Sequence, residues 1–132
     1  MVLFDTSVWV DYWQLRNTPQ VQKLVHALNH GEALITPTVI QEVLQGIRDD
    51  TQFLTVQERL LLLPCLHIPV VEAAVKAAEL YRFLRKKGVT VRKANDCLIA
   101  AYAIQHRVEI CHNDQDFDLI AAHTALKISL IY

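Results

Sequence analysis

Val108-Glu109-Ile110-Cys111-His112-Asn113-Asp114-Gln115-Asp116-Phe117-Asp118 joins a short apolar run, the mark of a buried strand, to three aspartates at alternate positions. Carboxylates crowded at a strand end repel one another by roughly 3 kcal/mol per pair at about 5 Å in a medium of effective dielectric near ~20, unless a cation or solvent intervenes. A calcium-binding EF-hand loop also opens with aspartates at alternate positions, but it needs glycine at its sixth position and glutamate at its twelfth. Here those positions are Leu119 and Ala125, so both the sharp turn and the bidentate ligand are missing. The plainer alternative is that the aspartates cap a following helix. The rest of the chain decides between a cap and a site.

Towards the amino terminus, Val2-Leu3-Phe4 followed by Asp5-Thr6-Ser7 and Val8-Trp9-Val10 reads as strand, capping turn and helix. Thr18-Pro19 opens a second helix with Val21, Leu24, Val25 and Leu28 on one face, stopping at Gly31. Ala33-Leu34-Ile35 is a second strand, and Thr36-Pro37-Thr38 opens a helix with the apolar stripe Ile40, Val43, Leu44 and Ile47. Glu42 lies off that stripe, on the same side as Gly46. A glycine inside a helix costs about 1 kcal/mol relative to alanine, so bare backbone there suggests room for an approaching group. Phe53, Val56, Leu60 and Leu61 form a helix ending by Pro64, and Cys65-Leu66-His67-Ile68 is a short third strand. Val71, Ala74, Val75, Ala78 and Tyr81 then share the face of a helix that ends near Gly88. Ala94-Asn95-Asp96 begins a helix apolar almost all round, Cys97 to Ile104, which should be central and buried. Val108 to Cys111 is a fourth strand and Ala125 to Leu130 a fifth. Strands alternating with helices predict an α/β protein, a central parallel sheet of four to five strands flanked by helices, in one domain spanning residues 1–132.

With 132 residues and 52% hydrophobic content, the chain can bury a core without staples. Cys65, Cys97 and Cys111 lack zinc-site spacing and read as reduced, buried residues. The six histidines also lack that spacing; His112 stands out only for its place beside the acidic stretch. No apolar run approaches the ~20 residues that span a bilayer, and no basic segment precedes an apolar one at the amino terminus, so a soluble cytoplasmic protein with no membrane association is expected. A net charge of −1 gives no general case for a polyanion partner. Yet Arg82, Arg85, Lys86, Lys87, Arg92 and Lys93 crowd just upstream of Asp96. They fit either a solvated helix end, where cations suit the dipole, or a surface for phosphates.

Acidic positions thus recur at equivalent places: Asp5 after the first strand, Asp96 in the first turn of a buried helix, Asp114 and Asp116 after the fourth strand, and Glu42 on a nearby helix. Each alone reads as a cap or a solvated carboxylate, but a parallel sheet gathers the carboxyl ends of its strands along one edge. An acidic cluster of this kind selects a hard divalent cation, Mg2+ or Mn2+, suited to phosphate chemistry.

The motifs Asp5-Thr6-Ser7-Val8-Trp9-Val10-Asp11, Val39-Ile40-Gln41-Glu42-Val43-Leu44-Gln45-Gly46, Asn95-Asp96-Cys97-Leu98-Ile99-Ala100-Ala101 and His112-Asn113-Asp114-Gln115-Asp116-Phe117 occur in this order over essentially the whole chain. In them the sequence resembles the PIN-domain ribonucleases, specifically the VapC toxins of bacterial type II toxin–antitoxin systems. The resemblance implies a PIN-like fold and a Mg2+- or Mn2+-dependent endoribonuclease that hydrolyses RNA phosphodiester bonds, with tRNA or rRNA as target. It implies a homodimer inhibited by a cognate VapB-type antitoxin whose tail enters the acidic groove. Asp5, Glu42, Asp96 and Asp114 match the family's acidic quartet, Asp116 an additional acidic position, and Thr6 and Ser7 its polar shell. On that basis Asp5, Asp96 and Asp114 are assigned to the metal, Glu42 to orienting the attacking water or holding a second ion, and Asp116 to either role. Arg92 and Lys93, then Arg85 and Lys86, become candidates for contacting RNA phosphates.

The main rival is a non-catalytic PIN-fold module that binds RNA or antitoxin with a vestigial cluster; the intact quartet weighs against it. A phospho-accepting receiver domain wants paired acidic residues after its first strand and a lysine after its last, whereas Thr6-Ser7 follows Asp5 and Lys127 lies inside the final strand. Carboxylates alone do not exclude a metal-dependent phosphatase.

Overall fold

A computed structural model describes residues 1–131. Its sheet has four parallel strands, β1 (Val2–Phe4), β2 (Ala33–Leu34), β3 (Glu109–Cys111) and β4 (Lys127–Ile128), in the order β2-β1-β3-β4. From β1 the chain moves one way across the sheet to β2, and from β3 it moves the other way to β4. The order therefore reverses between β1 and β3, which lie side by side with Phe4 opposite Cys111. In open parallel sheets the crevice at such a reversal, beyond the carboxyl ends of the strands, is where ligands bind.

Among the described residues seven helices cover the sheet: α1 (Thr6–Trp13), α2 (Pro19–Asn29), α3 (Pro37–Gln45), α4 (Asp50–Leu60), α5 (Val70–Lys86), α6 (Ala94–His106) and α7 (Gln115–His123). Their starts follow local chemistry. Thr18 and Thr36 each cap a helix whose first residue is proline, their hydroxyls accepting from Val21 and Val39 N–H. Leu3, Phe4 and Ile110 from the sheet are wholly buried against Trp9, Leu24, Leu84, Ile99, Phe117 and Ile120. As its all-apolar sequence requires, α6 is the most enclosed helix, buried at Cys97 and from Ile99 to Ala103.

The structure corrects several expectations. The third strand at Cys65–Ile68 is reduced to one isolated parallel bridge between Ile35 and Cys65, because Pro64 and Pro69 bracket the segment and each lacks an N–H for a ladder. The sheet among the described residues is thus four-stranded, and Cys65 is exposed, unlike Cys97 and Cys111. Gly46 is not inside α3 but caps its carboxyl end with φ −82°, so its lack of a side chain is not evidence of a close approach. The buried face of α3 centres on Val39 and Val43, with Ile40, Leu44 and Ile47 only half-buried. On α5 the predicted stripe faces outward: Val71 and Val75 are exposed, and Ala73 and Leu84 are the buried residues. A helix carrying two apolar faces gives no periodic signal as to which one meets the core.

Candidate active site

Asp5 and Asp114 leave the sheet on adjacent strands, and the ladder runs one residue past β1, with Asp5 N–H donating to the Cys111 carbonyl at 3.0 Å. Asp5 caps α1: its Oδ2 accepts from Ser7 N–H at 3.1 Å and from Ser7 Oγ–H at 2.7 Å. The same Ser7 hydroxyl accepts from Asn113 N–H at 3.0 Å, tying the loop after β3 to α1. Asp114 caps α7, its Oδ1 accepting from Asp116 N–H at 3.0 Å. Its own N–H donates to His112 Nδ1 at 3.0 Å, so His112 carries its proton on Nε2, which faces Asp118 Oδ1 at 3.1 Å. Asp118 is thereby a helix-start carboxylate that steadies the turn. Asp96 occupies the first turn of α6, and Glu42 reaches in from α3, where its Oε1 accepts from Thr6 Oγ1–H at 2.8 Å.

These side chains meet in one cleft of about 350 Å³, lined by Asp5, Thr6, Ser7, Glu42, Asp96 and Asp114, with Lys93 at its margin. Two larger hollows, about 520 and 530 Å³, lie elsewhere; neither holds a cluster of carboxylates, so chemistry rather than size locates the site. The amino ends of α1, α6 and α7 converge on the cleft, and their partial positive charges offset part of the repulsion among its anions.

That offset is incomplete. Burial raises the Asp5 carboxyl above its usual range, opposed by its bonds to Ser7 and Thr6 and reinforced by Glu42. Burial also pushes Asp96 up to about 7, with the charges of Asp5 and Asp114 adding to the effect and Lys93 opposing it. Asp114 goes the other way: burial would raise it, but the Asp116 N–H, Lys93 and Arg92 together hold it below the ordinary carboxylate range. Lys93 is correspondingly raised, chiefly by Asp114. Asp96 Oδ2 is buried with no hydrogen-bond partner. One oxygen from each of Asp96, Asp114 and Asp116 falls within 4.8 Å of the others. An orphaned buried carboxylate oxygen beside mutually repelling anions, all hard oxygen donors, fits a divalent cation.

A model of the PIN domain matches residues 2–123. The chain belongs to the PIN-domain family. It is 38% identical over 129 residues to Ribonuclease VapC11 of Mycobacterium tuberculosis, covering 96% of both chains. Its fold resembles VapBC2 of Rickettsia felis, solved bound to a DNA fragment, with a TM-score of 0.72 at 17% identity over 98% of each chain. It also resembles a toxin–antitoxin complex from Klebsiella pneumoniae, with a TM-score of 0.71 at 22% identity over 97% of this chain and all (100%) of that one. The α/β sheet with its helical cover is that of the PIN fold.

Within this PIN fold the four motif carboxylates Asp5, Glu42, Asp96 and Asp114 come together, as do Thr6 and Ser7. Asp116 is 2% exposed and stands behind them, both oxygens engaged by Arg92: Oδ2 accepts the backbone N–H at 3.2 Å and Oδ1 the Nε–H at 3.4 Å. Arg92 Nη2 lies 3.7 Å from Asp114 Oδ1, and Lys93 Nζ lies 3.5 Å from Asp114 Oδ2. The basic run is therefore divided. Arg92 and Lys93 adjoin the acidic cluster, whereas Arg85 and Lys86 sit in the last turn of α5, away from the cleft lining. Three polar residues given no role from the sequence, Asp11, Arg16 and Asn113, also line the cleft, beside Val10. Asp11 had a legible signal, since i+3 spacing from Val8 puts a carboxylate on the buried face of α1.

Proposed function

We propose that the protein is the endoribonuclease toxin of a toxin–antitoxin pair, hydrolysing RNA phosphodiester bonds in this cleft with Mg2+ or Mn2+. The observation that carries this reading is the buried Asp96 carboxylate with an unpartnered oxygen among the four motif acids, together with 38% identity to proteins described as VapC ribonucleases. Asp5, Asp96 and Asp114 would hold the cation, which supplies activation of water and neutralisation of the charge developing on the leaving oxygen. Thr6 fixes one oxygen of Glu42, leaving the other to orient the attacking water and accept its proton. Asp116 adds a buried carboxylate and places Arg92 beside Asp114, and Arg92 and Lys93 would exchange their carboxylate partners for RNA phosphates as substrate enters. Asp116→Asn should lower cleavage about 10- to 100-fold, the range for losing a group that supports a metal ligand, and less than loss of Asp96; gel-based rates on one RNA substrate check this.

The proposed partners are tRNA or rRNA as substrate, a cognate VapB-type antitoxin and a second copy of the chain in a cytoplasmic homodimer. The toxin–antitoxin neighbours named above support the antitoxin. The outward apolar row of α5, including Val70, Val71 and Val75, is a surface such assemblies would cover. No helix among the described residues is long and apolar enough to cross a membrane.

The test is incubation of antitoxin-free protein with total tRNA and rRNA, with Mg2+ or Mn2+ and with a chelator, beside Asp5→Asn. Discrete cleavage that needs the cation and Asp5 is expected. Equal cleavage by the variant would mean a contaminating nuclease, and RNA bound but uncut would make this a non-catalytic binding module.

A further inference from the structure

Asp11 is a buried carboxylate, 5% exposed, that belongs neither to the acidic quartet nor to any cap. Its Oδ2 accepts from Asn113 Nδ2–H at 3.2 Å and its Oδ1 from Arg16 Nη1–H at 2.9 Å. Asn113 immediately precedes Asp114, so this one carboxylate ties the loop that carries Asp114 to an arginine that also lines the cleft. The backbone is shaped to the same end. After α1, Leu15 N–H donates to the Tyr12 carbonyl and Arg16 N–H to the Asp11 carbonyl at 2.9 Å, the paired bonds of a helix-ending Schellman turn. The turn needs a left-handed residue, and Leu15, 91% exposed and with φ 59°, fills a place that favours glycine. The turn returns the arginine over the residue that holds it.

The charges then separate two kinds of cation. Lys93 is already paired with Asp114 of the quartet. Arg16 is the other cation lining the cleft; its side chain is 63% exposed, and among the described residues it bonds only to Asp11, outside the quartet. A guanidinium offers five donors in a planar fork that matches phosphate, and four remain for a ligand. We propose that Arg16, oriented by Asp11 and Asn113, is a phosphate-binding residue of the cleft that holds the RNA backbone against the carboxylates. This rests on the ribonuclease reading above and adds to it a residue with no part in holding the cation.

The experiment measures binding rather than turnover, by fluorescence anisotropy of labelled bulk tRNA with full-length Asp96→Asn protein in Mg2+ across a series of salt concentrations. Adding Arg16→Gln, which keeps a donor for Asp11 but removes the charge, should raise Kd about tenfold and reduce the salt slope by about one phosphate contact. Arg16→Lys should restore the slope and part of the affinity, and Asp11→Asn should weaken binding while leaving the slope unchanged. Thermal melting is read alongside. An Arg16→Gln variant that lowers Tm but leaves Kd and slope unchanged makes Arg16 merely structural and overturns the proposal. Failure of wild type, as well as of the Asp96→Asn protein, to bind or cut RNA in Mg2+ is a different result, and it overturns the ribonuclease reading together with this one.

Discussion

Asp96→Asn should abolish RNA cleavage, by about 10³-fold or more, and at the same time raise the melting temperature of the metal-free protein. The two effects share a cause. Asp96 is 3% exposed with one orphaned oxygen, and burial, then Asp5 and Asp114, lift its carboxyl to about 7. Ionising it in the folded state without a cation is therefore costly. A rise from 3.8 to about 7 sets a ceiling of about 4 kcal/mol, and neighbouring carboxylates that relax or take up the proton will reduce it. Asparagine removes the charge and keeps the shape, so a gain of several degrees is expected at about pH 8, given roughly 3–5 °C per kcal/mol for a domain of this size. The same change removes an anionic ligand, and with it the electrostatic stabilisation on which phosphoryl chemistry depends. Cleavage assays and melts in chelator on one preparation read both. A variant that loses activity and stability together would mean that Asp96 is a structural cap of α6.

Metal-free protein should lose stability as pH rises from about 5 to about 8, and Mn2+ should reverse the trend. The raised pKa of Asp96 means that the folded state keeps a proton the unfolded chain has already released, so the unfolded state gains relative stability through the window between the ordinary carboxylate value and about 7. Asp5, also raised by burial, acts in the same sense. Asp114 is lowered, so its contribution is complete above the ordinary carboxylate range and is lost only at more acid pH; it adds no slope between about pH 5 and 8. A cation that binds the folded state alone adds about 2.7 kcal/mol at a hundredfold excess over its Kd, and it binds better as Asp96 ionises. Melting curves across this range, in chelator and in Mn2+, should therefore have slopes of opposite sign. A flat or rising curve in chelator would contradict the assignment.

The residues that form the site were legible because each marks a chain event. Asp5 is a helix cap directly after β1, Asp114 a helix cap separated from the end of β3 by His112 and Asn113, and Asp96 lies in the first turn of a helix too apolar to be anywhere but the centre. Parallel strands then bring such positions to one edge, a consequence of topology that needs no contact prediction. Glu42 was harder to place, since a carboxylate beside a buried face and one in solvent have the same spacing; only the Thr6 hydroxyl shows that it points into the cleft. What failed was of two kinds. Cys65 to Ile68 has strand composition but sits between prolines, and α5 has two faces of similar hydropathy, so local pattern was not enough to choose pairing or orientation. Arg16 was invisible for another reason. Its partner Asp11 could be placed on the buried side of α1, but the turn at Leu15 that folds the arginine back is not written in any glycine.

That these carboxylates are gathered to hold a divalent cation is tested most directly by calorimetric titration of Mn2+ into chelator-stripped protein near about pH 7, in buffers of differing ionisation enthalpy, with wild type and Asp96→Asn side by side. Wild type should bind, with heats that vary between buffers because Asp96 releases its proton to the buffer as the ion enters, and the variant should lose both the binding and the buffer dependence. Absence of binding by wild type, or an identical isotherm in the variant, would contradict it.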